Sequence, residues 1–296
     1  MAFYIRKYHG LEWGEFELEI ITPLFLAGAD TNKPELRATA IKGALRFWWR
    51  ALHPNLPLAK LKEDESKIFG DAGDKTGKSR IKIMISRDLS YDGKSRENPL
   101  PHKVSKFTYP CFKPGETFSI KILGDKKIFW LFQIVTVLGG LGRRSRRGFG
   151  SIRIVRSNVI DGQDNISIED VLNLVNKVSG ARFRVEADKK IAQIANTGAN
   201  YPHIRTVQIG NKPFDNYKAV LIRIGQASHD YNSDFTGYAK HKKRFSSPVY
   251  VSVIRMPWNN DYRPIVTKLN AAFDPHVRFF SKDTTEKFIG HILGGK

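Results

Sequence analysis

The sequence predicts an α+β protein whose first half follows the order strand, helix, strand, strand, helix, strand. Two observations predict this: short segments in which apolar and charged residues alternate, and two longer segments in which apolar residues recur at helical spacing. The chain has 296 residues, of which 41% are hydrophobic. This composition is near the globular norm, and the length suffices for one large domain or two of ordinary size.

The first strand and the first helix are predicted from their periodicity. In GEFELEIITPLF, Phe16, Leu18 and Ile20 alternate with glutamates, which indicates a strand with one wet face that Pro23 closes. In ELRATAIKGALRFWWRAL, apolar residues stand at positions 41, 44, 45, 48 and 52. This spacing is typical of a helix with one buried stripe, and Thr39 is the expected N-cap.

Four further segments complete the first half. SRIKIMISRD (79–88) and ETFSIKIL (116–123) are predicted strands. KKIFWLFQIVTVL (126–138) is apolar all round, and its length favours a buried helix that ends at a left-handed Gly139. SIRIVRSNV alternates again and gives the fourth strand. The resulting βαββαβ order is that of a ferredoxin-like domain, which we assign to residues 1–157.

Residues 158–296 predict a second α+β unit whose order of elements the sequence leaves open. A helix is expected near 167–179, a strand at 248–255 and a terminal helix near 284–293. The segment 219–225 fits either a strand or a helix. The boundary between the two units is placed at residues 157 and 158.

The charge balance indicates an anionic partner. Lysine and arginine total 49 against 29 acidic residues, which gives a net charge of +20. This sign and size favour nucleic acid. No span of 18 apolar residues and no signal peptide is recognisable, so we expect a soluble, cytoplasmic protein that does not bind membranes. The single cysteine excludes an intrachain disulfide and a cysteine-based zinc site, and the histidine spacing suggests no metal; no cofactor is expected.

The first predicted helix carries a cationic stripe. Lys42, Arg46 and Arg50 recur every four residues, although like charges at this spacing repel one another. We therefore expect an anion to face them. Trp49 borders the stripe and could stack on a base, as aromatic residues do in single-stranded RNA sites. The alternative is a solvated charged face beside a core tryptophan.

The segment GGLGRRSRRGFG, Gly139 to Gly150, combines five glycines with Arg143, Arg144, Arg146 and Arg147. Glycines let backbone N–H groups approach a phosphate, and arginines bind its oxygens in a bidentate manner. A flexible linker is the alternative. The position between a buried helix and a strand of one domain argues against it.

Two further motifs are weaker. The run KHKKR contains Lys242, Lys243 and Arg244 and fits RNA binding and an ordinary charged loop equally well. AGDKTGKS resembles a phosphate-binding loop with Lys78 and Ser79 as the nucleotide-binding pair. A strand-like segment follows it where a helix is required, which argues against a nucleotide-dependent enzyme.

Three segments together resemble a known family. TPLFLAGADTNKPELRATAIKGALRFWWRAL (22–52), GGLGRRSRRGFGSIRI and KRFSSPVYVSV (243–253) are similar to the RAMP superfamily of CRISPR proteins. Within it, the helix motif resembles the first-numbered subunits of the type III-B Cmr effector complex.

The resemblance implies two ferredoxin-like domains in tandem, with single-stranded RNA bound across a basic cleft between them. The expected partners are the 3′ region of the guide RNA, the target RNA and the other Cmr subunits. The implied role in antiviral defence is non-catalytic capture of target RNA, carried by the arginines, Lys42 and Trp49 named above. The alternative is a metal-independent endoribonuclease that processes guide RNA with a histidine base.

Overall fold

The computed structural model describes residues 10–71, 77–104, 106–161, 166–195, 198–240, 243–256, 261–271 and 282–294. The helices are α1 (Ala38–Ala51), α2 (Leu58–Phe69), α3 (Lys126–Leu138), α4 (Ile168–Val178), α5 (Tyr217–Asp230) and α6 (Thr285–Leu293). The strands before α4 are β1 (Glu12–Ile20), β2 (Lys82–Arg87), β3 (Arg96–Glu97), β4 (Tyr109–Pro110), β5 (Thr117–Gly124) and β6 (Ile152–Ser157). Those after it are β7 (Phe183–Val185), β8 (Ile191–Gln193), β9 (Ile204–Ile209), β10 (Tyr238–Lys240), β11 (Lys243–Phe245), β12 (Val249–Met256) and β13 (Asp261–Leu269).

The first sheet has the strand order β2-β5-β1-β6, and every neighbouring pair is antiparallel. Phe16 on β1 lies opposite Ile120 on β5, which lies opposite Ile85 on β2. Phe16, Leu18 and Ile20 of β1 are buried on the face that the helices cover, as their alternation predicts, whereas Trp13 is exposed. The prediction of a mixed α+β protein is confirmed, with antiparallel sheets in both halves.

The second sheet has the order β12-β13-β9-β8-β7, again antiparallel throughout. Helix α5 packs against β12 and β13, α6 packs against β13, and the two helices pack against each other. The place beside β9 is taken by β8, which precedes it in the chain. The second sheet is therefore extended by the β7–β8 hairpin.

Helix α3 is the central element. It packs against β5 and β6 of the first sheet, against β12 and β13 of the second sheet, and against α1 and α4. Phe132 meets Phe16 of β1 with ring centroids 4.9 Å apart, and the Val137 carbonyl accepts a hydrogen bond from the Ser252 hydroxyl of β12. Contact with both sheets explains why the predicted helix 126–138 is apolar all round.

Several local expectations are wrong. Helix α1 begins after Arg37, which caps it without a side-chain hydrogen bond, so Thr39 is not the N-cap. Gly139 has a φ of −110° and is not left-handed. Helix α2 was not predicted. The wet face assigned to β1 ends before Glu19, which is buried.

The hydrophobic core forms two clusters, and each combines residues from both halves of the chain. One contains Phe16 together with Val171 and Tyr250. The other contains Phe149 together with Val251. The two sheets are therefore coupled through shared hydrophobic clusters. The domain boundary at residues 157 and 158 stays a prediction.

The close fit of the glycine-rich loop can be tested by adding one methyl group. Gly150 has a φ of +65°, and a Cβ there would lie 2.0 Å from the Leu141 carbonyl oxygen. We expect Gly150→Ala to lower the free energy of unfolding by at least about 2 kcal/mol, from backbone strain and this clash. Urea denaturation would measure the loss.

Gly43 provides the control for that experiment. It lies inside α1, and no atom stands within 4 Å of the position a Cβ would take. Gly43→Ala should stabilise the protein by about 0.5–1 kcal/mol, because alanine favours the helix. Equal stability of the two variants would contradict the close fit of the loop.

Candidate nucleic-acid interface

The cationic stripe of α1 is held by a carboxylate that the sequence analysis missed. Arg46 Nε and Arg50 Nη1 each lie 2.6 Å from the same oxygen, Oε1 of Glu65 on α2. The Glu65 side chain is 6% exposed, whereas the arginine side chains are 39% and 38% exposed. One buried carboxylate therefore orients two guanidinium groups that still reach water. Because it balances only one of their charges, the group remains cationic.

Lys42 adds a third positive charge one turn before Arg46. Burial, and then repulsion from Arg46, lower the pKa of its ammonium group below the ordinary value. Among the described residues, no carboxylate forms an ion pair with it. An anion that bound beside Lys42 would relieve this repulsion.

Trp49 differs from its predicted surroundings. It is 6% exposed, and its ring stacks on the imidazole of His53 with centroids 4.3 Å apart. A base could stack on this ring only after displacing the imidazole. Its RNA contact stays a prediction, but the structure places the side chain in the core, beside Trp48.

The glycine-rich loop is pinned to both sheets through its backbone. The Arg143 amide donates to the Phe25 carbonyl at 2.8 Å, which ties the loop to the segment after β1. The Gly148 amide donates to the Val251 carbonyl of β12 at 2.9 Å. These amides serve the fold itself. The loop is a joint between the two sheets, which excludes the linker interpretation.

Arg147 lies deepest of the four loop arginines. Its guanidinium donates to the carbonyls of Val249 at 3.1 Å and Thr236 at 2.9 Å, and it lies over the Phe288 ring at 4.9 Å. Burial, followed by repulsion from the neighbouring arginines, lowers its pKa to about 10. Arg147 is thus held by the second half of the chain, and its guanidinium is engaged by two carbonyls and a ring where a phosphate would have to bind.

Of the other three loop arginines, Arg144 and Arg146 are partly buried and Arg143 is exposed. Arg146 donates to the Ser247 carbonyl and lies over the Phe47 ring at 5.1 Å. Arg144 adopts a left-handed conformation with φ of 60°, and its Nε is buried without a hydrogen-bond partner. Arg143 is exposed beside Tyr109, 5.3 Å from the ring centroid. Arg143 is the loop arginine best placed to meet a phosphate.

The remaining motifs contribute less. Lys242 lies outside the described residues, and only the backbone of Lys243 and Arg244 is described, in β11. After the AGDKTGKS segment, of which residues 77–79 are described, the chain continues into strand β2. The Ser79 hydroxyl donates to the Ile81 carbonyl at 2.9 Å. The helix that a phosphate-binding loop requires does not follow.

A second buried carboxylate links the two sheets. Glu19 on β1 accepts from Arg153 Nε of β6 and from Arg255 Nη1 of β12, both at 2.7 Å. The sequence analysis assigned Glu19 to a wet face, but β12 brings Arg255 onto it. The only signal in the sequence was the excess of arginine, which does not identify the pair.

Two histidines are held neutral by their surroundings. His53 and His203 each present Nδ1 to a carbonyl, that of Trp49 at 2.7 Å and that of Tyr201 at 3.0 Å. A carbonyl can only accept, so Nδ1 carries the proton in both. Burial lowers both pKa values. Elsewhere, the rings of His102 and His229 approach to 5.8 Å.

Among the described residues, no helix is both long and apolar enough to cross a membrane. In the same part of the chain, no group of three or more His, Cys, Asp or Glu side chains is placed so that it could hold a metal ion.

Comparison with known proteins identifies the family. The family model of the RAMP superfamily matches residues 17–153. The CRISPR system Cmr subunit Cmr1-2 of Pyrococcus furiosus is 32% identical to the chain over 174 residues, which are 47% of this chain and 93% of that protein. The chain belongs to the Cmr1 family of the RAMP superfamily. Cmr subunit Cmr1-1 of the same organism is 25% identical over 312 residues and 89% of each chain.

Solved structures share the fold of this Cmr1-family chain. The crystal structure of Cmr1 from Pyrococcus furiosus in its apo form matches with a TM-score of 0.61 at 24% identity, over 96% of both chains. A chain in the cryo-EM structure of the type III-B Cmr-beta bound to cognate target RNA matches with a TM-score of 0.62 at 13% identity. This match covers 95% of the present chain and 98% of the other.

The role of Glu65 predicts a stability change. Glu65→Gln removes the charge that holds Arg46 and Arg50, so their mutual repulsion is no longer balanced. We expect a loss of about 1 kcal/mol in the free energy of unfolding, a modest value because water screens the half-exposed arginines. Glu63→Gln is the control, since among the described residues Glu63 pairs with exposed lysines of α2. The argument fails if both variants unfold at the same urea concentration.

His203 predicts a pH dependence of stability. Its folded pKa lies below the unfolded value because of burial, and its Nε2 is buried without a partner. Below the unfolded pKa, the histidine is protonated in the unfolded chain but stays neutral in the folded chain. The free energy of unfolding therefore decreases as the pH is lowered. We expect the free energy of unfolding to decline from about pH 7 to about pH 5, and His203→Asn to make the decline shallower. An unchanged slope in the variant would assign the dependence to other groups.

Proposed function

We propose that this chain is a non-catalytic, RNA-binding subunit of a type III-B Cmr effector complex, which helps to capture target RNA. The observation that carries the proposal is the pair of guanidinium groups on α1, held by one buried carboxylate and still open to solvent. Glu65 orients Arg46 and Arg50 before any ligand arrives, which reduces the entropy that a phosphate contact costs. Lys42 and the exposed Arg143 add further charge.

Assembly with other Cmr subunits is supported by the relatives. The Pyrococcus furiosus proteins are named as Cmr subunits, and the Cmr-beta structure is described as bound to cognate target RNA. The present chain shares its fold with a chain of that complex over nearly its whole length. Its proposed partners are therefore single-stranded guide and target RNA and the other Cmr subunits.

Each sheet is proposed to derive from a ferredoxin-like unit. In the first sheet, β1, α1, β2, β5, α3 and β6 follow the βαββαβ order, with α2 inserted after α1. In the second, β9, α5, β12, β13 and α6 repeat the first five elements of that order. Strand β8 stands beside β9, where a fourth strand would lie.

Removal of the stripe tests RNA binding. Replacing Lys42, Arg46 and Arg50 together by alanine should weaken the binding of single-stranded RNA. The slope of log Kobs against log salt should become shallower by about two units, because each phosphate contact on a single strand contributes about 0.7. Fluorescence anisotropy of a labelled oligouridylate over a salt series gives the slope.

A matched triple variant on α2 controls for the loss of charge. Lys60, Lys62 and Lys67 also carry three charges, but Lys60 and Lys67 pair with Glu63 and Asp64. Replacing these lysines by alanine should leave the slope nearly unchanged. If the α1 variant keeps the wild-type slope, the stripe does not contact phosphate.

The non-catalytic role has its own test. Purified chain incubated with repeat-derived RNA in EDTA should leave the RNA intact. Cleavage at one position, abolished by a single His→Ala change, would instead establish the metal-independent endoribonuclease. His102 and His229 would be the first pair to replace, because their ring centroids lie 5.8 Å apart.

A further inference from the structure

A cavity separates α1 from the glycine-rich loop. Its volume is about 230 Å³. Helix α1 contributes Ala40, Ala44 and Phe47, the loop contributes backbone at Gly140 and Gly142 together with the Arg146 side chain, and β12 contributes Tyr250. A water occupies about 30 Å³ of liquid and drug-sized ligands need roughly 300–1,000 Å³, so the space suits a single small ring system.

The wall of this cavity is a cluster of one cation and two aromatic rings. The Arg146 guanidinium carbon lies 5.1 Å from the Phe47 centroid and 5.7 Å from the Tyr250 centroid. The two rings are 6.0 Å apart and inclined at 35°. Arg146 is fixed by its bond to the Ser247 carbonyl, and Tyr250 by burial and by its contact with the loop. Both are therefore preorganised.

The chemistry of this wall favours a planar, aromatic ligand over a phosphate. The charge of Arg146 is already shared between two rings and a carbonyl, and the remaining side chains on the wall are small or apolar. Aromatic rings and guanidinium planes are the surfaces on which unpaired RNA bases stack. A negatively charged group would find better partners on the α1 stripe.

The cavity and the stripe lie on adjacent sides of one helix. Taking about 100° per residue, the centre of positions 40, 44 and 47 is about 130° from the centre of positions 42, 46 and 50. Gly43 lies between them on the exposed side of α1, and no side chain stands there. A strand whose phosphates meet Arg46 and Arg50 can therefore reach over the helix with a base.

We propose that the cavity between α1 and the glycine-rich loop is a nucleobase subsite, which receives one splayed base of the single-stranded RNA. This inference rests on the proposed RNA-binding function and adds a contact to the base itself. Stacking is tolerant of sequence, so the subsite distinguishes a base from no base more than one base from another.

The subsite is tested by changing the protein and the RNA separately and together. In the protein, Ala44→Leu fills the cavity. In the RNA, oligouridylate is compared with an abasic ribose-phosphate chain of equal length and charge, which lacks the bases. Wild-type full-length chain should bind oligouridylate about tenfold more tightly than the abasic chain. In Ala44→Leu this preference should be lost, while the salt slope stays as in the wild type.

Two further variants make the result decisive. Thr39→Leu places the same leucine side chain at an exposed position of α1 outside the cavity, and it should keep the preference for bases. Ala40→Leu fills the same cavity one turn earlier and should behave as Ala44→Leu, which guards against failure of one variant to fold. Near-ultraviolet circular dichroism confirms that each variant has native packing.

The outcomes separate the subsite from the proposed function. Salt-dependent RNA binding with the same preference for bases in the wild type and both filled variants overturns the subsite and leaves RNA binding in place. A wild type that binds oligouridylate and the abasic chain equally also overturns it. Absence of salt-dependent binding to either chain overturns the proposed function.

Discussion

The buried guanidinium of Arg147 is the contact on which the union of the two sheets depends. A charge taken out of water costs several kcal/mol unless hydrogen bonds replace the lost hydration. Here the carbonyls of Val249 and Thr236 and the face of Phe288 replace it, and all three belong to the second half of the chain. The glycine-rich loop must therefore hold a single shape. Its glycines allow tight packing against neighbouring carbonyls, and they do not serve mobility.

Two buried carboxylates determine the role of four arginines: one pair of arginines joins strands inside the fold, and the other pair lies at the surface. Glu19 and Glu65 each bind two arginines with one side chain. Around Glu19 the arginines come from β6 and β12, and Arg153 is nearly buried, so this group joins strands. Around Glu65 both arginines come from one helix and remain half-exposed. A carboxylate bound to two arginines thus joins strands at Glu19, and at Glu65 it orients a cationic surface.

The sequence predicted those elements whose apolar residues follow a clear period. Strands β1, β5 and β6 and helices α1 and α3 were found because one face, or the whole element, meets the core. Helix α2 was missed because its buried side includes Glu65 and Ser66, which read as a solvated run. Strand β13 was missed because it contains Pro264, a residue that argues against a central strand; its pairing with β9 begins one residue later, at Ile265. Since α2 was missed, Glu65 could not be inferred as the partner of the cationic stripe. The four loop arginines were all expected to bind phosphate, because residue spacing does not reveal which backbone carbonyls of a neighbouring sheet lie close to them.

The open face of the first sheet explains why a helix and a loop, and not this sheet, carry the candidate interface. Four-stranded sheets of this kind can bind RNA by stacking bases on exposed aromatic side chains. Here Glu15 and Glu17 of β1 lie on that face beside the exposed ring of Trp13, and they pair with Lys121 and Arg87. Each of these two pairs is electrically neutral, so a phosphate gains little from them. Unbalanced charge remains on α1, where one carboxylate pairs with two of the three cations. Phosphate binding is therefore favoured on the helical side of the molecule, next to the joint between the sheets.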